Sequence, residues 1–467
     1  MEKLYDKLIE YSKSRAYPFH MPGHKRQMMV MENPYNFDLT EIDGFDNLHE
    51  AEDLLKEAQE QAARLYGSEE SHFMVNGSTG GILSAIAGVT HRGDRVLVAR
   101  NCHTSVYHGI ELNGLRPVYL WPELDRELGI YGGITREMVE AMLETYPDIR
   151  AVIFTSPTYE GLLSDVRGIC DAAHARGIPC IVDEAHGAHL RWIGIPDSVS
   201  QGADVTIQSL HKTMPALTQT ALIHLNGRLI SKARIRRMLT FYQTSSPSYV
   251  LMASISKCLD WMETEGTEAF KYYKEQVTEL RKRLENLKYL QICRPEGPFD
   301  WGKLVISAHT SNMSGRQLYD RLRDEYQLQM EMVSAEYVLA MTTVGDRPEG
   351  LQRLAEALEE MDVSEGNFQS VIEKPEPPER ALEIDEAVNQ PSEKVLLDHA
   401  EGRIIGDYLY LYPPGIPLMV PGEVIQMKQI KKIKDSLRQG LDVHGAYFKA
   451  ERAVTVLSTE NKRRECL

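Results

Sequence analysis

The amino-acid sequence predicts an α/β protein built around a mostly parallel sheet. Two observations carry that prediction. Between Ser71 and Leu225, short apolar runs alternate with helix-like segments, the pattern of a parallel sheet covered by helices. In the same span the polar and glycine-containing motifs follow apolar runs rather than interrupt them, and in such sheets ligands bind at the carboxyl ends of the strands. The 467 residues leave room for two or three domains.

Residues 1–50 read as an arm. A charged amphipathic helix starts the chain, and Pro18-Phe19-His20-Met21-Pro22-Gly23-His24-Lys25 follows, where two prolines and a glycine disfavour regular structure. This stretch suits either a solvated basic loop or a functional one. Asp43, Asp46 and Glu50 precede a helix predicted over Ala51–Tyr66, whose dipole acids at its start favour. The large domain is expected over 51–260. An apolar run covers His72–Val75, and strands are predicted at Arg95–Ala99, Pro117–Leu120, Ala151–Thr155, Pro179–Val182, Val205–Gln208 and Thr220–Leu225. Helical patterns cover Ile82–Thr90, Arg136–Tyr146 and Val166–Arg176. A long periodic stretch, Ser248–Leu287, leads into a small α/β domain over 261–370. There a strand is expected at Leu304–Ala308 and helices at Arg316–Glu325 and Glu349–Glu360. Residues 371–380 are proline-rich and charged, as an extended linker is. An appended domain spans 381–467. Its run from Tyr412 to Glu423 holds too many prolines for a helix or a central strand.

A net charge of −16 argues against nucleic acid as a partner and mildly favours cationic or neutral ligands. Six scattered cysteines form no CxxC pair and no metal-ligand spacing, as expected of reduced thiols in a cytoplasmic protein. No run approaches the roughly 20 apolar residues of a membrane span.

The chemistry concentrates between Ile181 and Gln219. One strand delivers Asp183; the next delivers Ser209, His211 and Lys212. An acid ending one strand and a lysine just past the next is a recurring way to hold pyridoxal phosphate. The aldehyde needs an amine, the ring nitrogen a carboxylate, and the phosphate hydroxyl and amide donors. Lys212 is the expected Schiff-base amine, since burial lowers a lysine's proton affinity. Asn76-Gly77-Ser78-Thr79-Gly80-Gly81 opens a helix. It suits a phosphate cup as well as an ordinary glycine-rich turn with a serine or threonine cap. GxxxxGK[ST] and GxGxxG are both absent, which argues against ATP and NAD. His103 lies just after a strand, where its flat ring can stack on a cofactor or neighbour a helix cap. Thr158-Tyr159-Glu160-Gly161 follows another strand. His186 and His189 are spaced like a metal pair, but further ligands of suitable spacing are missing. They are read instead as contacts to substrate or cofactor, and no metal is expected.

Together FHMPGHK, NGSTGG, RNCHTS, SPTYEG, VDEAHGAH, SLHKTMPALTQ and YPPGIPLMVPGE resemble the ornithine, lysine and arginine decarboxylases of the aspartate-aminotransferase fold, fold type I. The matching pieces run from about residue 19 to residue 423, and the length resembles the short bacterial members. The resemblance implies that Lys212 holds pyridoxal 5'-phosphate, Asp183 pairs with its ring nitrogen and His103 stacks on the ring. Ser78, Thr79, Ser209 and His211 would bind the phosphate. It further implies a basic amino-acid substrate, a role in polyamine biosynthesis, a cytoplasmic location and a homodimer or higher homo-oligomer. The site would sit at the subunit interface, lined by the arm or the C-terminal segment. Larger members carry a tryptophan where this chain has His186.

The expected reaction is α-decarboxylation, with Lys212 or a histidine such as His186 returning a proton to the α-carbon. Asp43, Asp46 and Glu423 are candidate partners for the substrate's distal cation. The alternatives are an aminotransferase or lyase on the same fold, for which Arg347 is the candidate carboxylate-binding residue, and a non-catalytic cofactor-binding regulatory protein. The sequence does not choose among lysine, arginine and ornithine.

Overall fold

The computed structural model describes residues 4–26, 31–125, 129–363, 377–413 and 415–458. Most of the expected linker, Pro414 of the proline-rich run and Cys466 lie outside the described residues.

Seven strands form the central sheet: β1 (Glu70–Met74), β2 (Arg95–Ala99), β3 (Arg116–Leu120), β4 (Ile149–Thr155), β5 (Cys180–Asp183), β6 (Val205–Gln208) and β7 (Ala221–Leu225). Their order is β1-β7-β6-β5-β4-β2-β3. Only β7 runs against its neighbours β1 and β6; every other pair is parallel. Ala151 to Phe154 is a continuous apolar run because β4 is buried on both faces, as a helix-covered parallel strand must be. One reversed strand leaves six carboxyl ends on a single edge. In register, Thr155 lies beside Asp183, and Asp183 beside Ile207.

The helix expected from Ile82 begins earlier, forming α1 (Gly77–Val89). Its glycines serve close packing instead of breaking it. A Cβ on Gly88 would come within 2.5 Å of Ile235, on the neighbouring helix Lys232–Tyr242. The periodic stretch after Ser248 is two helices, Tyr249–Trp261 and Thr267–Leu284, joined by the π-helical turn Met262–Gly266. A second helix that matters below is α2 (Val166–His174), packed beside Arg136–Thr145.

The small domain has a four-stranded antiparallel sheet in the order Gln291–Ile292, Lys303–Ser307, Tyr337–Met341, Met332–Val333. Two helices, Gly315–Asp324 and Pro348–Met361, accompany it. The C-terminal segment pairs Ser392–Leu396 with Ala453–Leu457 and Leu409–Leu411 with Ile416–Met419 and Val443–His444. Ile416–Met419 is an edge strand, which is why it tolerates Pro417. Leu409, Met419, Ile430, Phe448 and Val456 give this segment its own core. Among the described residues, no helix is long and apolar enough to cross a membrane.

The arm is not a solvated loop. Tyr17–Phe19 forms a parallel strand with Leu328–Met330, and Lys25 is only 1% exposed. The Tyr17 ring lies flat against Gly350, where a Cβ would come within 1.9 Å of it. Its hydroxyl donates to Asp346 Oδ1 (3.0 Å) and accepts from Arg347 N (2.9 Å). Asp46 is engaged as well: its carboxylate accepts the backbone N–H groups of Asn47, Glu52, Asp53 and Leu55 and so organises the start of the helix Leu54–Tyr66.

Replacing Gly350 with Ala would push the Tyr17 ring off the small domain, an overpacking cost of about 1–3 kcal/mol. A fall of several degrees in the thermal midpoint, with faster proteolysis before Lys25, is the expected outcome in a melting and limited-digestion experiment.

Candidate active site

The site is assembled on the edge where six strands end. Asp183 is the last residue of β5, and it is 4% exposed. Burial raises its carboxyl above the ordinary range, opposed by Lys212 and by the N–H of Ala185, which donates to Oδ1 at 3.2 Å. β6 ends at Gln208. Ser209 then starts a single helical turn, Leu210–Thr213, which carries His211 and Lys212. Ser209 Oγ is buried and has no hydrogen-bond partner among the described residues.

Lys212 Nζ lies 3.1 Å from His186 Nε2. Desolvation lowers its proton affinity, and Asp183 and Glu331 oppose that shift. His186 is central to the arrangement. Its Nδ1 meets Lys303 Nζ at 2.8 Å, so one imidazole bridges two lysine amines. Burial and then the charges of Lys212 and Lys303 hold its pKa well below the usual value, so the ring is neutral. Lys303 opens a strand of the small domain and is 3% exposed; burial pushes its ammonium down to about 8. Tyr159 packs edge-on to His186, with ring centroids 4.6 Å apart, and its hydroxyl donates to Glu331. Glu331 Oε2 in turn accepts the N–H of Met21, in the arm.

His189 takes a different partner. Its Nε2 lies 3.2 Å from Asp300 Oδ2, both side chains almost fully buried. It therefore joins the small domain to the loop after β5 and forms no pair with His186. Glu160 accepts from Tyr337 OH at 2.9 Å, and Thr158 Oγ1 accepts from Leu162 N at 3.1 Å.

Two further groups complete the edge. α1 begins at Gly77 in the left-handed region (φ +67°), and Gly77 N donates to Gln219 O at 2.9 Å. Its N-cap residue Asn76 turns its side chain to Tyr242 O (3.0 Å), so no side chain caps the first N–H groups of the helix. Ser78 is half-buried there and Thr79 is exposed. His211 Nδ1 lies 2.9 Å from Thr220 O, beside this turn, and burial pushes its pKa down to about 4. His103 caps the helix Thr104–Leu112, its Nδ1 accepting from Ser105 N at 3.2 Å. Burial and the nearby Lys212 lower His103 to about 4. Gly415 of the proline-rich run lies against the His103 ring, and its carbonyl accepts from Thr104 N at 3.0 Å.

The structure thus brings Asp183, His186, Ser209, His211, Lys212 and His103 to one edge, with Ser78 and Thr79 on its rim. It separates out the acids expected to meet a distal cation. Asp43 is exposed, Asp46 organises a helix start, and Glu423 is buried against Arg100, with Nη2 to Oε1 at 3.4 Å. Arg347 is exposed where the helix Pro348–Met361 begins. Lys303, Glu331 and Asp300 were not legible as site residues. Each is a single polar residue in the small domain with no motif around it. Beyond Glu160 lies a cavity of about 590 Å³, walled by Arg100, Trp121, Tyr131, Tyr337, Tyr412 and Pro417 from all three parts of the chain.

Comparison with known proteins agrees with this architecture. Residues 2–300 match the family model described as the Orn/Lys/Arg decarboxylase major domain, and residues 362–447 match that family's C-terminal domain. The chain is 32% identical to an arginine decarboxylase of Bacillus subtilis over 464 residues, covering 95% of each protein. Its fold is similar to that of the Francisella novicida lysine decarboxylase, with a TM-score of 0.77 at 18% identity over 97% of this chain and 80% of the other. It is also similar, with a TM-score of 0.56 at 14% identity over 75% of this chain and 79% of the other, to L-threonine transaldolase from Pseudomonas fluorescens in its internal aldimine state. With two family models matching in tandem and a relative aligned almost end to end, the chain belongs to the Orn/Lys/Arg decarboxylase family.

Proposed function

We propose that this protein binds pyridoxal phosphate at Lys212 and decarboxylates a basic amino acid, with arginine the first of the three to test. The observation that carries the reading is the Lys212–His186–Lys303 chain set beside Asp183 on one sheet edge. Arginine comes first because the relative aligned over 95% of both chains is an arginine decarboxylase.

The residues present fit the cofactor. Ser209 Oγ is a buried hydroxyl without a partner among the described residues, and the first N–H groups of α1 carry no side-chain cap. Both are donors of the kind a phosphate takes. Asp183 is a buried carboxylate that a protonated ring nitrogen would satisfy. Ser78, Thr79 and His211 would complete the phosphate cup, and His103 offers a flat ring beside Lys212. When bound, pyridoxal phosphate supplies an aldehyde that captures amines and a protonated ring that accepts the electron pair left at a substrate carbon.

The chain's own groups do the rest. Lys212, with its proton affinity lowered, keeps part of its amine neutral, the form that attacks an aldehyde. Asp183 sets at the end of β5 a carboxyl whose proton affinity burial raises and Lys212 opposes. The neutral His186 has one amine within hydrogen-bond reach of each nitrogen, so it can pass a proton from Lys303 Nζ through Nδ1 and Nε2 toward Lys212. Tyr159 and the arm close that cluster from water and so strengthen its electrostatics. Our candidates for meeting a distal cation are Glu331, which opposes the loss of proton affinity at both Lys212 and Lys303, and Glu160, on the wall of the cavity; each would exchange a present hydrogen bond for that contact. A homodimer in the cytoplasm, supplying amines for polyamine synthesis, fits this reading.

Carbon dioxide release from arginine, lysine and ornithine, with identification of the amine product, tests the proposal. The expected result is release from one of them, lost in Lys212→Ala. No release from any of the three, or activity that survives in the variant, would sink it.

The pH profile separates Lys303 from a purely structural lysine. Its ammonium is pushed down to about 8, so it holds its proton below that pH and loses it above. kcat/KM should therefore fall on the alkaline side near pH 8. Lys303→Met should lower the rate at least about 100-fold and remove that alkaline limb. Because the Lys303 charge lowers the pKa of His186, the acid limb of the variant should also move to higher pH. An unchanged profile would contradict the relay.

A further inference from the structure

We propose that Cys170, His174 and Cys180 form a binding site for a thiophilic divalent cation of the zinc class, at the end of β5 opposite Asp183. The donor atoms of these three side chains lie within 4.8 Å of one another. α2 supplies Cys170 and His174, four residues apart and so on the same face of the helix. β5 supplies Cys180 as its first residue. The spacing, Cys-x3-His followed by x5-Cys, is none of the familiar zinc signatures, and the fold alone joins the two halves.

Two thiolates and an imidazole are the ligands such a cation selects, and tetrahedral coordination would draw the donors to roughly 3.5–4 Å apart. Asp204 adds the feature that usually accompanies a ligating histidine. Its Oδ2 accepts from His174 Nε2 at 2.7 Å and from Cys180 N at 2.8 Å. A carboxylate fixed to one ring nitrogen orients the imidazole and raises its basicity toward a metal on the other nitrogen. The two thiols are at most 1% exposed, whereas the His174 side chain is one-third exposed, which gives an ion access from solvent. A thiophilic cation binds the thiolate form, so occupancy would displace the protons of both thiols. Occupancy would pin α2 to the strand that ends in Asp183. The inference does not rest on the proposed catalytic role, since none of these residues touches Lys212.

The test uses the reduced, chelator-stripped full chain titrated with Co²⁺, followed by displacement with Zn²⁺. The expected result is one equivalent bound with a thiolate-to-cobalt charge-transfer band. That band should be abolished in the Cys170→Ser/Cys180→Ser double variant, and affinity should be at least about tenfold weaker in His174→Gln. A folded wild-type chain without the band, or a band that survives in the double variant, overturns the proposal. Should the double variant fail to fold, unchanged affinity in His174→Gln, at its partly exposed position, overturns it equally.

Discussion

Holding lysine amines away from water without giving each its own carboxylate is the constraint on which this structure depends. Lys25 is buried, yet its Nζ is held by two carbonyls, Met341 O (2.7 Å) and His20 O (3.0 Å), with Asp346 no nearer than 4.0 Å. Lys303 and Lys212 meet the two nitrogens of one neutral imidazole. An ammonium in such surroundings loses proton affinity, because desolvation penalises the charged form more than distant acids restore it. A lysine paired tightly with an acid would stay protonated and unreactive. The fold instead spends its acids one step away: Asp346 on Tyr17, Glu331 on Tyr159 and Met21, Asp300 on His189.

That arrangement requires three distant parts of the chain to meet. Gly23 N in the arm donates to His211 O at 2.7 Å, and Gly23 O accepts from Thr343 Oγ1 of the small domain at 2.6 Å. The backbone approaches so closely that a Cβ on Gly23 would lie 2.8 Å from Met214 O. The arm is thus wedged between the lysine-bearing turn and the small domain. On the other side, Gly415 seats the C-terminal segment on His103. The sheet edge supplies the chemistry, and these flanking pieces fix its geometry.

The parts of the site that could be read from sequence are those governed by local rules. Asp183 and Lys212 follow apolar runs, and a parallel sheet puts such residues on one edge. The glycines before Ile82 were legible as a turn near a helix start, although the helix includes them because it packs tightly on the sheet and on Lys232–Tyr242. Lys303 and Glu331 were not legible. Their roles come from a small-domain sheet docked against the strand edge, and no periodicity in 291–341 encodes that docking. His189 invited pairing with His186 at three-residue spacing, but the turn after β5 points the two rings to different partners. Asp46 and Glu423 looked free as acids because sequence does not show that backbone N–H groups and Arg100 already occupy them. Cys170 and Cys180 looked scattered because only the fold brings the helix that carries one beside the strand that carries the other.

Of Lys25, Lys212 and Lys303, Lys212 alone is expected to carry the cofactor. Borohydride reduction of the protein loaded with pyridoxal phosphate, followed by digestion and mass spectrometry, tests it most directly. The expected result is one phosphopyridoxyl addition per chain, on the peptide containing Lys212. Addition at Lys25 or Lys303, or no addition to a folded chain, would contradict it.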